Sequence, residues 1–433
     1  MARSFFSGGI LLAATLVSAQ AALAQSCPTP AEIIGSAQGA TAHLRYLADD
    51  ALEGRDTGST GERCAATYIS DAFSALGLQP AGTGGGWFQG FEVAADTRAG
   101  RAAASARNVI GILPGTDPAH SGEYIIIGAH YDHLGRGGSG SLDPDGNQIH
   151  NGADDNASGT AALIAVAQEL QAAGGLARPV IFIAFSGEER GLLGSSWFVR
   201  NPTVPIDGTV AMLNMDMVGR LRDNRITVFG EATAVGWGEL VAGANGLLAQ
   251  PLAITLMPDG FGPSDHSSFY AAGYPVLHFF TGTHSEYHRP EDDVSTINAQ
   301  GLDRVVDLVS AVAMELTGST ATAPPTMEPI AGVAPEATEG GRGYGPYFGS
   351  IPDMGAADVI GVRISGVREN SPAARAGLEA GDIIVGFGDA AVADLYEYTD
   401  ALRAFGPGDP VNVTIQRNGR QLVLQAILGE SRR

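Results

Sequence analysis

The stretch Phe185-Ser186-Gly187-Glu188-Glu189-Arg190-Gly191 directly follows an apolar run, residues 179–184, that is rich in β-branched and aromatic side chains. Such a run is typical of a buried strand in a parallel sheet. Two adjacent carboxylates at its end repel each other, and burying either is costly unless a positive charge compensates. A divalent metal would compensate, with one glutamate as a ligand and the other as a general base. Taken alone, however, the stretch is more simply interpreted as a solvated loop.

The other predicted strands of this region strengthen the metal hypothesis, because polar side chains follow them too. In an open α/β sheet, sites form where the strands end. Histidine and carboxylate ligands without cysteine suit zinc in an open, catalytic site. The stretches concerned are His130-Tyr131-Asp132-His133 after strand 124–129, Asp154-Asp155-Asn156 in a loop before a helix, Asn214-Met215-Asp216 in strand 210–217, and Tyr287-His288 late in the region.

The alternation of these strands with amphipathic helices predicts an α/β domain with a mostly parallel central sheet flanked by helices. Predicted helices include 158–173, 237–248 and 302–316. At 433 residues the chain is too long for one ordinary domain. Its net charge of −22 argues against nucleic acid or an anionic membrane as the main partner.

The first residues predict an exported protein. Residues 1–24 resemble a secretory signal, with Arg3, an apolar centre and a small-residue cleavage site, Ala22-Leu23-Ala24. The apolar run is too short for a convincing membrane span, so we expect no span in the mature chain and a periplasmic or extracellular location. The two cysteines, Cys27 and Cys64, could form a disulfide in an oxidising compartment or remain as free thiols, and the sequence leaves both open.

The chain divides into a large domain, 25–317, a linker, 318–343, and a second domain, 344–433. The linker is rich in threonine, alanine, proline and glycine and has little periodicity. After it, short strands dominate. Two of them, 411–416 and 421–427, flank Arg417-Asn418-Gly419-Arg420, and Asn-Gly is a strong signal for a hairpin turn.

Residues 44–316 resemble the secreted dizinc aminopeptidases, a family related to glutamate carboxypeptidase II and the glutaminyl cyclases. The motifs quoted above stand in the family's order. The resemblance implies a zinc-peptidase (phosphorylase/hydrolase-like) fold and two zinc ions, one bound by His130 and Asp216, the other by Glu189 and His288. Asp155 would bridge both, with Asp154 as the competing candidate. The resemblance also implies a cis peptide bond between Asp155 and Asn156.

The same resemblance implies the remaining roles. Glu188 would be the general base, and Tyr287 would donate to the developing oxyanion. Asp132 would accept a hydrogen bond from the other nitrogen of His130, although a turn-capping role is nearly as good an interpretation. The remaining histidines of the region are expected to be structural or to contact substrate: His133, His150, His266, His278 and His284.

The second domain resembles a bacterial PDZ domain, a small β-rich fold. The stretch Tyr347-Phe348-Gly349-Ser350-Ile351 corresponds to the loop that holds the C-terminal carboxylate of a bound peptide, and 396–405 to the helix beside the peptide groove. A docking or stabilising domain without a free ligand is an equal alternative.

Together these observations predict an exported zinc aminopeptidase that acts on peptides and carries a PDZ domain for a peptide or partner. Three alternatives remain. The fold could instead serve a carboxypeptidase or a cyclase of N-terminal glutamine, although the cyclases usually use one zinc and the ligand set here is complete. A non-catalytic peptide-binding protein is less consistent with an intact Glu188.

Overall fold

The structure is a computed structural model. It describes residues 27–95, 101–138, 140–143, 146–318, 346–352, 359–367, 371–393, 397–398, 401–402 and 404–429. The predicted signal, 1–24, and nearly all of the predicted linker, 318–343, lie outside these ranges.

The predicted helices 158–173, 237–248 and 302–316 are present within three residues of their predicted bounds, whereas the short helices α1 and α7 were not predicted. They are α1 (Pro30–Ile34), α2 (Gly39–Leu47), α3 (Thr60–Ala75), α4 (Gly159–Ala173), α5 (Leu193–Arg200), α6 (Trp237–Leu247), α7 (His266–Ala271), α8 (Ala299–Thr317) and α9 (Pro372–Ala376). Within the described ranges, none of the helices combines the length and the apolar character that crossing a membrane requires.

The strands form one sheet in each of the two predicted domains. The first sheet contains β1 (Gln79–Pro80), β2 (Phe88–Val93), β3 (Ala104–Leu113), β4 (Tyr124–His130), β5 (Val180–Phe185), β6 (Thr209–Met215), β7 (Arg225–Phe229), β8 (Ala253–Met257) and β9 (Val276–Phe280). The second contains β10 (Ser350–Pro352), β11 (Val362–Val367), β12 (Ile383–Phe387), β13 (Ala390–Ala391), β14 (Pro410–Arg417) and β15 (Arg420–Ile427).

The first sheet is parallel at its centre and mixed at its flanks. Its order is β1-β3-β5-β4-β6-β9-β7-β8, with β2 paired to β3. The run β5-β4-β6-β9 is parallel, as the alternation of strands and helices predicted. The pairs β3–β5 and β7–β9 are antiparallel. The carboxyl ends of β4, β5 and β6 therefore meet at one edge, which is where the predicted site residues lie.

Helices cover both faces of this sheet because its central strands are apolar on both sides. In β4, Ile125 and Ile127 pack in the core on the face covered by α4 and α8. Ile126 points to the opposite face, in a smaller core that includes Phe198 of α5 and Phe269 of α7. This alternation follows from the two-residue period of a strand.

The second sheet has a core of its own, and none of its residues belongs to the cores of the first domain. Its sheet order is β10-β11-β12-β14-β15. The predicted hairpin is present as β14 and β15. Its turn contains Asn418 at a φ of 51° and Gly419 at 73°, the left-handed conformation that a two-residue hairpin loop requires.

Candidate metal centre

His130, the last residue of β4, points into a group of carboxylates. Its side chain is 1% exposed, and its Nε2 lies 3.4 Å from Asp155 Oδ1 and 3.5 Å from Asp216 Oδ1. Glu188 Oε2 is 3.7 Å from the same nitrogen. The ends of β4, β5 and β6 thus bring together three stretches that are far apart in the chain.

Asp155 lies between the two predicted metal positions. Its Oδ1 faces His130, and its Oδ2 is 3.1 Å from His288 Nε2. The Asp155–Asn156 peptide bond is cis, as the resemblance implied. Buried Asp292 holds this turn, because its Oδ2 accepts hydrogen bonds from the backbone N–H groups of Asp154 and Asp155 at 3.0 Å. Although Asp155 is buried, the surrounding histidines hold its pKa well below the ordinary value.

Asp154, the competing candidate for the bridge, points away from this group. Its Oδ1 accepts from the backbone N–H of Gly219 at 2.7 Å and from the Ser158 hydroxyl at 3.1 Å. Its Oδ2 lies 3.2 Å from His284 Nε2. Of the two candidates, Asp155 therefore faces both His130 and His288, whereas Asp154 contacts the neighbouring loop around Gly219.

A second group contains Glu189, His288 and, unexpectedly, His133. Glu189 Oε2 is 3.4 Å from His288 Nε2. His133 Nδ1 is 2.7 Å from Glu189 Oε1 and 4.0 Å from Asp155 Oδ2. His133, Asp155 and Glu189 lie close enough together to hold a metal ion. The 2.7 Å separation is also a hydrogen-bond distance, at which His133 can orient Glu189. Its only sequence signal is its position three residues after His130.

The predicted partner of His130 needs a correction. The Nδ1 of His130 is 3.2 Å from the backbone carbonyl oxygen of Asp132, whereas the carboxylate is 3.9 Å away. That carboxylate instead accepts from the Thr57 hydroxyl at 2.8 Å and from the backbone N–H of Glu188 at 3.1 Å. The tight turn after β4 brings the carbonyl closer than the side chain. Asp132 therefore connects the β4 and β5 strand ends.

The predicted catalytic residues flank this centre. Glu188 is 2% exposed, and burial together with the carboxylates of Asp216 and Glu189 raises its pKa well above the ordinary value. The Tyr287 ring is stacked on the ring of His288, with centroids 3.8 Å apart. The Nδ1 of His288 lies 2.7 Å from the carbonyl oxygen of Gly140, which fixes the ring's orientation.

The donor set fits two zinc ions. Two atoms bound to one zinc at about 2.0–2.1 Å and at the tetrahedral angle lie about 3.3 Å apart. The His130–Asp155, His130–Asp216, His288–Asp155 and His288–Glu189 separations run from 3.1 to 3.5 Å. The buried Nε2 of His130 and Oδ1 of Asp216 form no hydrogen bond among the described residues, as expected of atoms that face a cation.

The predicted carboxylate loop of the second domain runs along the edge of its sheet. Tyr347 pairs with Gly429, and Phe348 is buried with its ring 5.3 Å from that of Phe387. Gly349 has a φ of 91°, and a Cβ there would lie 2.3 Å from the Ser371 Cβ, so the turn needs glycine. In the described part of the chain, β10 pairs with β11 and is an edge strand.

Two parts of the chain match known families. Residues 108–313 match the family described as Peptidase family M28. Residues 329–428 match the PDZ domain. Aminopeptidase YwaD of Bacillus subtilis is 30% identical over 49% of this chain and 45% of its own length. Leupeptin-inactivating enzyme 1 of Streptomyces exfoliatus is 27% identical over 80% of this chain and 74% of its own. The chain thus spans less than half of YwaD.

Solved structures share the fold of the first domain. An aminopeptidase from Aneurinibacillus sp. strain AM-1 superposes with a TM-score of 0.52 at 19% identity, over 70% of this chain and 98% of its own. A Zn-dependent exopeptidase from Parabacteroides distasonis also gives a TM-score of 0.52, at 21% identity, over 63% of this chain and 96% of its own.

Proposed function

We propose that the chain, whose residues 108–313 match peptidase family M28, is a zinc-dependent aminopeptidase acting on peptides. The observation that carries the proposal is the position of Asp155 between two histidine–carboxylate groups. The aminopeptidases among its relatives and structural neighbours support the same reaction.

In this proposal His130, Asp155 and Asp216 hold one zinc, and Asp155, Glu189 and His288 hold the other. Zinc bound there would supply positive charge that polarises a peptide carbonyl and acidifies water. The chain's own groups complete the site. Glu188, whose Oε2 is 3.7 Å from His130 Nε2, accepts a proton from the attacking water and returns it to the leaving amine. The Tyr287 hydroxyl donates to the oxygen on which negative charge develops.

A matched pair of variants tests the ligand assignment. Asp155→Asn removes the charge shared by both groups, so bound zinc falls well below two per chain. Asp154→Asn, one residue away, retains both ions because its carboxylate points towards Gly219 and Ser158. Zinc is counted by atomic absorption after dialysis. Equal loss in the two variants would contradict the assignment.

The reaction itself is tested with one peptide in two forms, free and N-acetylated, incubated with the zinc-loaded protein and followed by mass spectrometry. We expect residues to be lost from the amino end of the free peptide alone. Trimming from the carboxyl end, or of both forms alike, would favour a carboxypeptidase. Release of ammonia from a peptide with N-terminal glutamine would favour a cyclase, and no reaction at all would favour a peptide-binding protein.

We further propose that the PDZ domain binds the free C-terminus of a peptide or partner, which adds as a strand to β10. The edge position of β10 and the glycine turn at Gly349 support this. The test compares a fluorescent peptide with a free C-terminal carboxylate and its C-terminal amide by anisotropy. Binding of the free acid alone is expected, and equal or no binding would favour a docking domain.

Export is also part of the proposal. The Cys27–Cys64 disulfide supports an oxidising compartment. N-terminal sequencing of the protein from the cell envelope or medium tests it. The expected sequence starts near Gln25, and an intact Met1 in the cytoplasmic fraction would contradict it.

A further inference from the structure

A short segment of the N-terminal region, residues 54–57, contacts three loops: the loop after β4, the loop before Asp155 and the loop after β5. Each of these loops carries or adjoins a predicted zinc ligand. We call it the strap. It precedes the part of the chain that matches peptidase family M28, residues 108–313. Nothing in the periodicity of the strap indicates a connection to the metal centre.

The central residue of the strap is Arg55, whose side chain is fully buried at 0% exposure. Its guanidinium donates to the carbonyl oxygen of Tyr131 at 2.8 Å, to that of Asn151 at 2.8 Å and to that of Gly152 at 3.1 Å, and also to that of Leu47. Tyr131 follows ligand His130, and Asn151-Gly152 precede Asp155. One rigid, planar guanidinium thus joins the loop after β4 to the loop before Asp155. These two loops adjoin His130 and Asp155, which are predicted ligands of the same zinc.

The remaining strap contacts reach the third loop. The Thr57 hydroxyl donates to Asp132 at 2.8 Å, and the other oxygen of Asp132 accepts from the backbone N–H of Glu188 at 3.1 Å. The carboxylate of Asp56 accepts from Arg190 at 2.9 Å. Both connections end in the loop after β5, which carries Glu188 and Glu189.

The backbone of the strap is strained in a way that these contacts explain. Glu53, Gly54 and Arg55 have consecutive φ values of 48°, 72° and 49°. A Cβ at Gly54 would lie 2.4 Å from the carbonyl oxygens of both Gly135 and His150. Left-handed non-glycine residues are energetically unfavourable and persist where the surroundings demand them. Here the conformation turns the guanidinium of Arg55 inward.

The charge of Arg55 matters as much as its geometry. In the described part of the chain it forms no ion pair, and all its hydrogen bonds are to backbone carbonyls. Asp132, Asp155, Asp292 and Glu189 nevertheless act on it electrostatically, and although burial lowers its pKa to about 10 it remains a cation at neutral pH. This buried positive charge offsets part of the repulsion among the carboxylates of the metal centre. Without it, that repulsion would oppose the packing of these carboxylates close together.

We propose that the strap positions the metal centre. Arg55, its positioning residue, fixes the distance between the loop after β4 and the loop before Asp155, and its charge allows their carboxylates to converge before zinc binds. Thr57 holds the loop after β5 through Asp132. This inference depends on the proposed function, because it concerns the same metal centre.

The test measures zinc affinity by competition with a chromogenic chelator and the melting temperature of the metal-free and zinc-loaded full-length protein. Arg55→Met keeps the length of the side chain but removes its charge and donors. The matched control is Arg178→Met, since Arg178 is also buried and donates to the Leu316 carbonyl at 2.7 Å and to Glu123 at 2.7 Å, at the amino-terminal end of β5. Both variants are expected to melt at lower temperature than the wild type.

Only Arg55→Met is expected to weaken zinc binding, by about ten- to a hundredfold, the usual effect of losing a residue that orients metal ligands. Arg178→Met stays within about twofold of the wild type, a difference much smaller than that range. Wild-type affinity in folded Arg55→Met, or equal weakening in both variants, would overturn the inference.

Thr57→Val keeps the test decisive if Arg55→Met does not fold, because it removes one strap hydrogen bond without changing the shape of the side chain. We expect it to weaken zinc binding severalfold and Thr57→Ser to restore it. Unchanged affinity in Thr57→Val would then overturn the inference. A wild-type protein that binds no zinc would contradict the proposed metal centre itself, and this inference with it.

Discussion

At the residue scale, Glu188 and Glu189 are neighbours in sequence but face different groups. Glu189 lies among His133, His288 and Asp155, whereas Glu188 lies nearest His130. We therefore predict different effects of the same change. Glu188→Gln should keep its zinc and lose turnover by about 10²–10⁴-fold, the usual contribution of a general base. Glu189→Gln should lose turnover too, and it should also lose the zinc ion that is shared with His288. Zinc content and kcat together separate the two roles, and an active Glu188→Gln variant would show that another group is the base.

Glu62, on α3, is a buried acid outside the metal centre, and its burial favours the neutral form. The Tyr131 hydroxyl lies 2.6 Å from both the Arg107 carbonyl oxygen and Glu62 Oε1. The Tyr131 hydroxyl has one proton to give, so these two acceptors compete for it, and the Ser186 hydroxyl also donates to Glu62 Oε1 at 2.7 Å. Burial raises the pKa of Glu62 from 4.5 to about 7 and outweighs the opposite effect of the hydrogen bonds from Tyr131 and Ser186.

This raised pKa predicts a pH-dependent stability. The folded state binds the proton of Glu62 more tightly than the unfolded state does. The resulting contribution to the free energy of unfolding is complete below about pH 4.5 and is lost as the pH rises through about 7. The shift corresponds to about 3 kcal/mol. Between pH 5 and pH 8, the unfolding free energy of Glu62→Gln should therefore rise by about that amount relative to the wild type.

Urea unfolding of the metal-free protein, followed by tryptophan fluorescence, measures this difference, because Trp87, Trp197 and Trp237 all lie in the first domain. Glu92→Gln, an exposed carboxylate on β2, controls for the loss of a charge. If the difference in unfolding free energy between Glu62→Gln and the wild type did not change with pH, the raised pKa of Glu62 would be contradicted.

At the scale of elements, a disulfide connects the segment before α1 to α3. Cys27 and Cys64 are bonded, which decides the alternative that the sequence left open. The sequence separation of 37 residues predicts a contribution of about 3–4 kcal/mol through restriction of the unfolded chain.

The double variant Cys27→Ala/Cys64→Ala should therefore unfold at lower urea concentration, and a reducing agent should shift the wild type towards it. The same reagent should leave the variant unchanged, which is the internal control. Identical unfolding of oxidised and reduced wild type would show that native packing already restrains this segment.

At the scale of the whole molecule, the predicted catalytic residues and the core that supports them belong to residues 27–318. The second domain has a separate core built around Phe348, Phe387 and Tyr398. Removal of everything after residue 318 should thus leave kcat/KM for a short free peptide within about twofold, because the main cores of the first domain remain whole.

The truncated protein should at the same time lose binding of a peptide with a free C-terminal carboxylate. Hydrolysis assays and anisotropy on the same preparation measure both. A large loss of kcat/KM in a truncated protein that melts normally would show that the second domain contributes directly to the peptidase reaction.

Much of the fold was predictable because its signals are local. The continuous apolar strands, the amphipathic helices and the Asn418-Gly419 turn depend on neighbouring residues, so periodicity predicts them. The predicted ligands were recognisable for a related reason, since parallel strands present their carboxyl ends at one edge. Asp132 shows the limit, because sequence spacing could not distinguish its carbonyl from its carboxylate as the partner of His130.

Local signals in the sequence were sufficient to predict two domains, most strands and helices and the residue types that converge on the candidate metal centre. Four features became known from the folded structure alone: the cysteine pairing, the different directions of Asp154 and Asp155, the contact of His133 with Glu189 and the burial of Arg55. The physical reason is distance along the chain: Arg55 bonds to carbonyls 76 and 97 residues away. A contact of that kind depends on how whole elements pack, and no local period of the sequence encodes it.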